Sequence, residues 1–320
     1  MTGAGGFVGS HLAERLLREG ARVRGLVRYN SRGDAGFLSE IPEAHRGRLE
    51  VVAGDLNAEE TVRRAIRGTQ VVFHLAALVG IPYSYVHPAE VVRTNVVGTL
   101  NVLLAARDEG VERIVHTSTS EVYGSAVSVP IAESHPLQPQ SPYSASKIGA
   151  DALALSFHRA FDLPVAVIRP FNVYGPRQSA RAVIPAVIVQ ALTRDVVRLG
   201  ATRPTRDLTY VEDTVRGFLA VGQAPDAVGQ AVNVGSGFEI SIGELAGKVI
   251  ERVGRSVRVE TDEARLRPEK SEVARLWAYT KKAGEVLGWS PEVSLDEGLD
   301  RTIAYVRDHL GDYDPDRYAV

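Results

Sequence analysis

Tyr143 and Lys147 are spaced four positions apart in Tyr143-Ser144-Ala145-Ser146-Lys147, at the opening of a stretch with helical character. On a helix this spacing puts both side chains on one face, where the ammonium can lower the phenol's pKa. A phenol tuned in this way can take the proton of an alcohol that is being oxidised. Taken alone the pair says little, because amphipathic helices often place Tyr beside Lys by chance. Upstream, after a strand-like run, stands Thr117-Ser118-Thr119-Ser120-Glu121-Val122-Tyr123-Gly124, a hydroxyl cluster that contains a carboxylate.

Oxidising an alcohol needs a hydride acceptor, and the chain opens on a segment suited to holding one. Thr2-Gly3-Ala4-Gly5-Gly6-Phe7-Val8-Gly9 has glycines at three-residue steps and runs into a helical pattern with Leu12, Leu16 and Leu17. Without side chains the backbone can approach a pyrophosphate, and the helix N-terminus offers free N–H donors and the positive end of its dipole. Asp55 and His74-Leu75-Ala76-Ala77 follow later strands, the context a dinucleotide site requires. The expected dinucleotide contacts are Gly3, Gly6, Phe7, Val8, Gly9, Arg28, Asp55, Leu56, Leu75, Ala76, Ala77, Asn95, Tyr143 and Lys147. At the end of the second strand, where an acidic residue would accept from the ribose hydroxyls of NAD, Val27 is followed by Arg28. A guanidinium there suits the extra phosphate of NADP, so NADP is favoured over NAD.

The elements that must position these groups alternate short β-branched runs with longer amphipathic stretches, the pattern of a parallel sheet wrapped by helices. Strands are predicted at Arg22–Val27, Leu49–Gly54, Val71–His74, Arg113–Thr117 and Pro164–Arg169. Helices are predicted at Gly9–Glu19, Ala58–Arg67, Pro88–Glu109 and Tyr143–Phe161. The predicted fold is α/β, a Rossmann-type doubly wound parallel sheet with a smaller C-terminal substrate-binding lobe. Residues 1–172 would hold NAD(P), and 173–320 would mainly form the lobe, with a return to the sheet near 208–235 through Ala231–Val234. One feature conflicts with this pattern: Met1-Thr2 leads directly into Gly3, so the first strand is apparently missing from the sequence, and its loss would unpair backbone groups on both neighbours.

Composition narrows the class further. A net charge of -2 argues against a general nucleic-acid surface, which needs an excess of Lys and Arg. With no Cys there is no disulfide framework, thiol nucleophile or thiolate metal site, and no metal is expected. No apolar run approaches membrane-spanning length, so the protein is read as cytoplasmic.

The glycine pattern, the hydroxyl cluster, Tyr143-x-x-x-Lys147 and Arg169-Pro170-Phe171-Asn172-Val173-Tyr174-Gly175-Pro176 together resemble the extended short-chain dehydrogenase/reductase family, over nearly the whole chain. The resemblance implies a nucleoside-diphosphate sugar in the C-terminal lobe and a homodimer built on the helices around Pro88–Glu109 and Tyr143–Phe161. Thr119-Ser120-Glu121 is similar to the Thr-Ser-Glu set of sugar-nucleotide 4,6-dehydratases, especially the GDP-mannose dehydratase type. There Thr119 would orient the C4 hydroxyl, Tyr143 remove its proton, Lys147 tune Tyr143, and Glu121 act as C5 base and C6 acid. Ser120 stands where the dTDP-glucose branch has Asp, leaving one carboxylate for both proton transfers. Diphosphate contacts are expected from Asn172, Arg177, Arg206 and Arg267, with Arg181 weaker, because Arg donates two hydrogen bonds to one phosphate.

Two segments, Pro176–Pro185 and Arg265–Glu272, look most like the subgroup of legionaminic acid biosynthesis, whose enzymes are N-acetylglucosamine-nucleotide 4,6-dehydratases. Ile81-Pro82-Tyr83-Ser84-Tyr85 is expected as a loop over the sugar, with Tyr83 and Ser84 among its contacts. Three alternatives stand beside dehydration: decarboxylation of a UDP-uronic acid, 4-epimerisation, for which Glu121 has no obvious use, and a noncatalytic dinucleotide-binding redox sensor.

Overall fold

The computed structural model describes residues 1–313, so the last seven residues of the expected 173–320 lobe lie outside the described residues. The first half of the chain runs α1 (Phe7–Arg18), β1 (Val23–Arg28), α2 (Glu43–Arg46), β2 (Leu49–Gly54), α3 (Glu59–Ile66) and β3 (Val71–His74). It continues through α4 (Ile81–Val86), α5 (Pro88–Val92), α6 (Gly98–Asp108), β4 (Arg113–Thr117), α7 (Pro142–Phe161) and β5 (Val165–Pro170). The second half holds β6 (Asn172–Tyr174), α8 (Val183–Thr193), β7 (Val196–Leu199), β8 (Thr205–Tyr210), α9 (Val211–Gln223) and β9 (Ala231–Val234). After these come β10 (Glu239–Ser241), α10 (Ile242–Val253), β11 (Arg258–Thr261), β12 (Arg275–Leu276), α11 (Lys281–Leu287) and α12 (Leu295–Asp308).

The main sheet is parallel throughout. β3, β4, β5 and β9 pair in that order, and β1 pairs β2. Thr2 joins the two parts, bridging Leu26 of β1 on one side and His74 of β3 on the other. This is the doubly wound arrangement expected from the sequence, with Ala231–Val234 returning beside β5. Between the N-terminal ends of β1 and β3 a cavity of about 660 Å3 opens, lined by Met1, Val23, Arg24, Val71 and Phe73.

Strand β5 shows why the sheet sits where it does. Val165, Ala166, Val167 and Ile168 are all fully buried, because helices cover both faces and leave no solvent side for alternation. Helices α3, α6 and α7 close one face around Val102, Leu103, Ala154 and Phe157, while α1 and α9 close the other. In the smaller lobe β8 pairs β6, β10 and β12, a separate pair joins β7 to β11, and α8, α10 and α12 pack on them.

Two predicted elements take a different form. Pro88–Glu109 is not one regular helix: a wider turn at Arg93–Val97 separates α5 from α6. Asn95 and the close packing of Gly98 explain it. The Asn95 side chain reaches across to Leu78, and a Cβ at Gly98 would sit only 3.0 Å from Leu56. Ile81–Val86 is a short helix rather than a loop, started by Pro82 in its first turn.

Candidate active site

The glycine turn is shaped by contacts that exclude side chains. A Cβ on Gly3, whose φ is +67°, would lie 2.8 Å from the Ala76 nitrogen, and one on Gly9 would lie 2.1 Å from the Gly3 carbonyl oxygen. Gly6 caps α1 without a side chain, so the first turn of the helix faces outward with its donors uncovered by a capping group. A cavity of about 750 Å3 begins there and is lined by Gly3, Gly6, Phe7, Val8, Gly9, Arg28, Asp55, Leu56, Leu75, Ala76 and Ala77. Its size and its helix N-terminus fit a dinucleotide with the pyrophosphate on α1. Arg28 is exposed at the end of β1, and Asn30 and Asp34 line the same rim.

Asn95 does not belong to that lining. Its Oδ1 accepts from the Leu78 N–H at 2.8 Å, and its Nδ2 donates to the Leu78 carbonyl and to Ser146 Oγ at 2.9 Å. With every polar atom engaged by protein, Asn95 fixes the loop after β3 against α7 instead of touching a ligand.

Helix α7 presents Tyr143 in its first turn because the helix start is sharply defined. Ser141 and Ser144 satisfy each other's backbone N–H groups, and Pro142 occupies the first helical position. Tyr143 and Lys147 are both buried. Lys147 donates from Nζ to the Thr117 carbonyl at 2.6 Å, which ties α7 to the end of β4. Burial lowers its ammonium to about 8, against the opposing pull of the Asp151 carboxylate one turn on. Burial also pushes the Tyr143 phenol well above its ordinary value, a hydrogen bond with Thr119 lowers it, and the Glu121 and Asp151 carboxylates raise it. The phenol is set here by burial, Thr119 and the two carboxylates rather than by the Lys147 ammonium, which donates one of its three N–H groups to the Thr117 carbonyl.

Thr119, Ser120 and Glu121 form a tight turn leaving β4, in which Thr119 Oγ1 accepts the Glu121 N–H at 3.3 Å. Ser120 and Glu121 are buried. The Glu121 charge is felt by both Tyr143, whose phenol it raises, and Arg206, whose guanidinium it raises, so the carboxylate is within electrostatic reach of each.

Beyond Arg206 a second cavity, of about 490 Å3, is lined by Tyr85, Asn172, Arg181, Arg206, Arg267 and Glu272 among others. Asn172 Oδ1 and one terminal nitrogen of Arg267 are buried there without a hydrogen-bond partner. The Arg267 nitrogen does face the Glu272 carboxylate at 3.8 Å, so Asn172 Oδ1 is the clearer case of a polar atom left for a polar ligand to complete. Arg206 is held by the Thr205 and Val273 carbonyls and by Glu272 at 3.1 Å.

Three expected substrate contacts are placed elsewhere. Arg177 turns back to the main lobe, where it pairs with Glu14 at 3.0 Å and Glu40 at 2.9 Å, and its φ of +68° aims it there. Ser84 is fully buried on α4 with its hydroxyl on the Ile81 carbonyl, and the Tyr83 hydroxyl donates to Glu90. A helix at this position points Pro82 and Tyr85 at the cavity, and Tyr85 meets Ser271 at 2.6 Å. Glu272 and Asp151 were not singled out from the sequence. Asp151 had a legible signal, since it lies four residues after Lys147 on the same helix face.

The profile of the family described as GDP-mannose 4,6 dehydratase matches residues 1–302. The chain belongs to this family. Similar proteins include the UDP-glucose 4-epimerase of Mycolicibacterium smegmatis, 36% identical across 96% of this chain and 97% of that one. The dTDP-glucose 4,6-dehydratase of an Actinoplanes strain is 34% identical, across 96% and 97% respectively. Among solved structures, the dTDP-glucose 4,6-dehydratase of Streptomyces venezuelae with NAD bound superposes with a TM-score of 0.88 at 33% identity, covering 98% of both chains. The family is one of α/β nucleotide-sugar dehydratases and epimerases, and this chain is an enzyme of that kind. Among the described residues no helix is long and apolar enough to cross a membrane.

The charge state of Lys147 leads to a pH dependence. Its folded value of about 8 lies below the ordinary 10.5, so the unfolded chain holds the extra proton between those values. Stability should therefore rise with pH across that window, the cost of the buried charge being fully present below it. Lys147→Arg keeps its charge across the window, so its stability, followed by denaturant unfolding at a series of pH values, should not show that rise. A rise that persists in the arginine variant would assign it to another group.

Proposed function

We infer that the protein is a nucleotide-sugar 4,6-dehydratase acting on a nucleoside-diphosphate N-acetylglucosamine or a related hexose. The observation that carries this reading is Glu121, a buried carboxylate on the turn after β4 whose charge reaches both the Tyr143 phenol and Arg206. With a diphosphate on Arg206 and Arg267, a hexose extending toward Tyr143 passes Glu121. That is where a base for C5 is needed.

The residues divide the work as follows. Thr119 orients the C4 hydroxyl and Tyr143 takes its proton. The resulting C4 ketone makes the neighbouring C5 hydrogen acidic, because its loss gives an enolate. Glu121 takes that hydrogen and protonates the departing C6 hydroxyl, which leaves as water. Ser120 has no carboxyl group, so Glu121 serves both transfers. A nicotinamide dinucleotide held in the glycine-lined groove would accept the C4 hydride and give it back at C6, with a solvent proton adding at C5, so that the net redox change is zero.

Residues 1–172 hold the dinucleotide in this reading, and the remainder holds the nucleotide sugar. Arg28 on the groove rim favours NADP over NAD through its fit to an added ribose phosphate. The N-acetylglucosamine assignment and the place beside the legionaminic acid enzymes rest on the resemblance of Pro176–Pro185 and Arg265–Glu272. The protein works in the cytoplasm as a homodimer through the faces of α5, α6 and α7.

The test is a panel of nucleotide sugars incubated with protein reconstituted with NADP or with NAD, followed by mass spectrometry. Loss of water, greater with NADP, is the expected result. Loss of carbon dioxide from a uronic acid would replace dehydration by decarboxylation, and a new isomer of unchanged mass would replace it by epimerisation.

A further inference from the structure

Arg169 is a charge at the end of a strand that otherwise buries only apolar side chains. Placing a guanidinium there is unfavourable unless its partners are complete, and an apolar residue of similar size would serve packing as well. Its contacts reach two different segments of the active site. Nε and one terminal nitrogen donate to Asp151 Oδ2 at 3.3 and 3.1 Å. The other terminal nitrogen donates to the Tyr123 hydroxyl at 3.0 Å, and the guanidinium carbon lies 5.2 Å over the centre of that ring.

Each partner belongs to one half of the reaction machinery. Asp151 lies on α7 one turn beyond Lys147, and its carboxylate is completed by Ser118 Oγ at 2.6 Å and His116 Nε2 at 3.2 Å. Tyr123 closes the turn that begins with Thr119 and Glu121. Its hydroxyl passes the connection on to Asn233 Oδ1 at 2.7 Å on β9, and Asn233 in turn donates to the Ile131 carbonyl. One guanidinium therefore links the helix carrying Tyr143 and Lys147 to the turn carrying Thr119 and Glu121.

We propose that Arg169 is a positioning residue that sets the separation between these two segments, and so between the phenol and the carboxylate, by joining Asp151 to Tyr123. The proposal rests on the reading of Tyr143 and Glu121 given above. A displacement of about 1 Å between reacting groups can lower a rate on the order of 100-fold without changing what binds. The link should therefore affect kcat and spare KM.

Two variants test it at different depths. Tyr123→Phe removes the hydroxyl while leaving the Asp151–Arg169 pair in place. Arg169→Lys keeps the charge but lacks the planar fork that spans both partners. Expected are a kcat lower by roughly tenfold for Tyr123→Phe and about 100-fold for Arg169→Lys. KM for the nucleotide sugar and dinucleotide affinity should stay within about threefold of the parent, a change smaller than one power of ten in binding. The double variant should be no slower than Arg169→Lys alone, because both act on one link. Parent-like kcat in Tyr123→Phe, or losses that multiply in the double variant, would overturn the link. Tyr143→Phe assayed alongside separates the two failures: an active Tyr143→Phe overturns the catalytic assignment, while an inactive one beside an unimpaired Tyr123→Phe overturns the link alone.

Discussion

Tyr143→Phe should lower kcat for water loss by about 10²- to 10⁴-fold, the range associated with removing a general base, while dinucleotide affinity stays close to the parent value. Phenylalanine fills the same buried volume, so the loss comes from the missing oxygen and not from a cavity. The phenol is held above its ordinary range by burial and by two carboxylates, and the Thr119 hydroxyl opposes them. A phenol this reluctant to ionise does not act as a free base in the resting site. It must give up its own proton before it can take that of the C4 hydroxyl, and that second transfer coincides with hydride departure, when the alcohol is most acidic. Product formation followed by mass spectrometry checks the expectation. A Tyr143→Phe rate within about tenfold of the parent falls below the effect of a general base and would move the C4 chemistry to another group.

Glu121→Gln should produce the second large effect, on a different step. Glutamine keeps the shape and cannot accept the C5 hydrogen, and Ser120 beside it offers no replacement carboxylate. Water loss should fall by about 10²- to 10⁴-fold. Incorporation of solvent deuterium at C5 should disappear with it. Oxidation at C4 should survive, because the Glu121 charge raises the Tyr143 phenol and removing that charge shifts the phenol downward. The two variants are thus distinguishable by where the reaction stops. Deuterium still entering C5 in Glu121→Gln would take this residue out of the elimination.

Much of the site was legible because it depends on local spacing. The i, i+4 pair of Tyr143 and Lys147, the glycine steps before α1 and the Thr119–Glu121 cluster after β4 each describe a single turn, and a turn is a local object. Predicted contacts of the dinucleotide groove were legible for the same reason, since they come from the residues that end parallel strands. Arg177 shows the limit. It sits in a segment that resembles its relatives, yet its direction depends on Glu14 and Glu40, more than 130 positions away. Asn95, Tyr83 and Ser84 likewise had the right chemistry for ligands and were already satisfied by Leu78, Glu90 and Ile81.

By itself the sequence determined the α/β class, the parallel order implied by alternating strands and helices, the dinucleotide turn and the residues able to move protons. These follow from periodicity and from backbone limits that act within a few residues. Only the tertiary structure decided which charges are committed to other protein groups. Lys147 is drawn to the Thr117 carbonyl and Arg169 to Asp151 and Tyr123, while the Glu121 charge acts on both Tyr143 and Arg206. Burial gives those pairings their strength, and burial is a property of segments meeting in space, so no reading along the chain contains it.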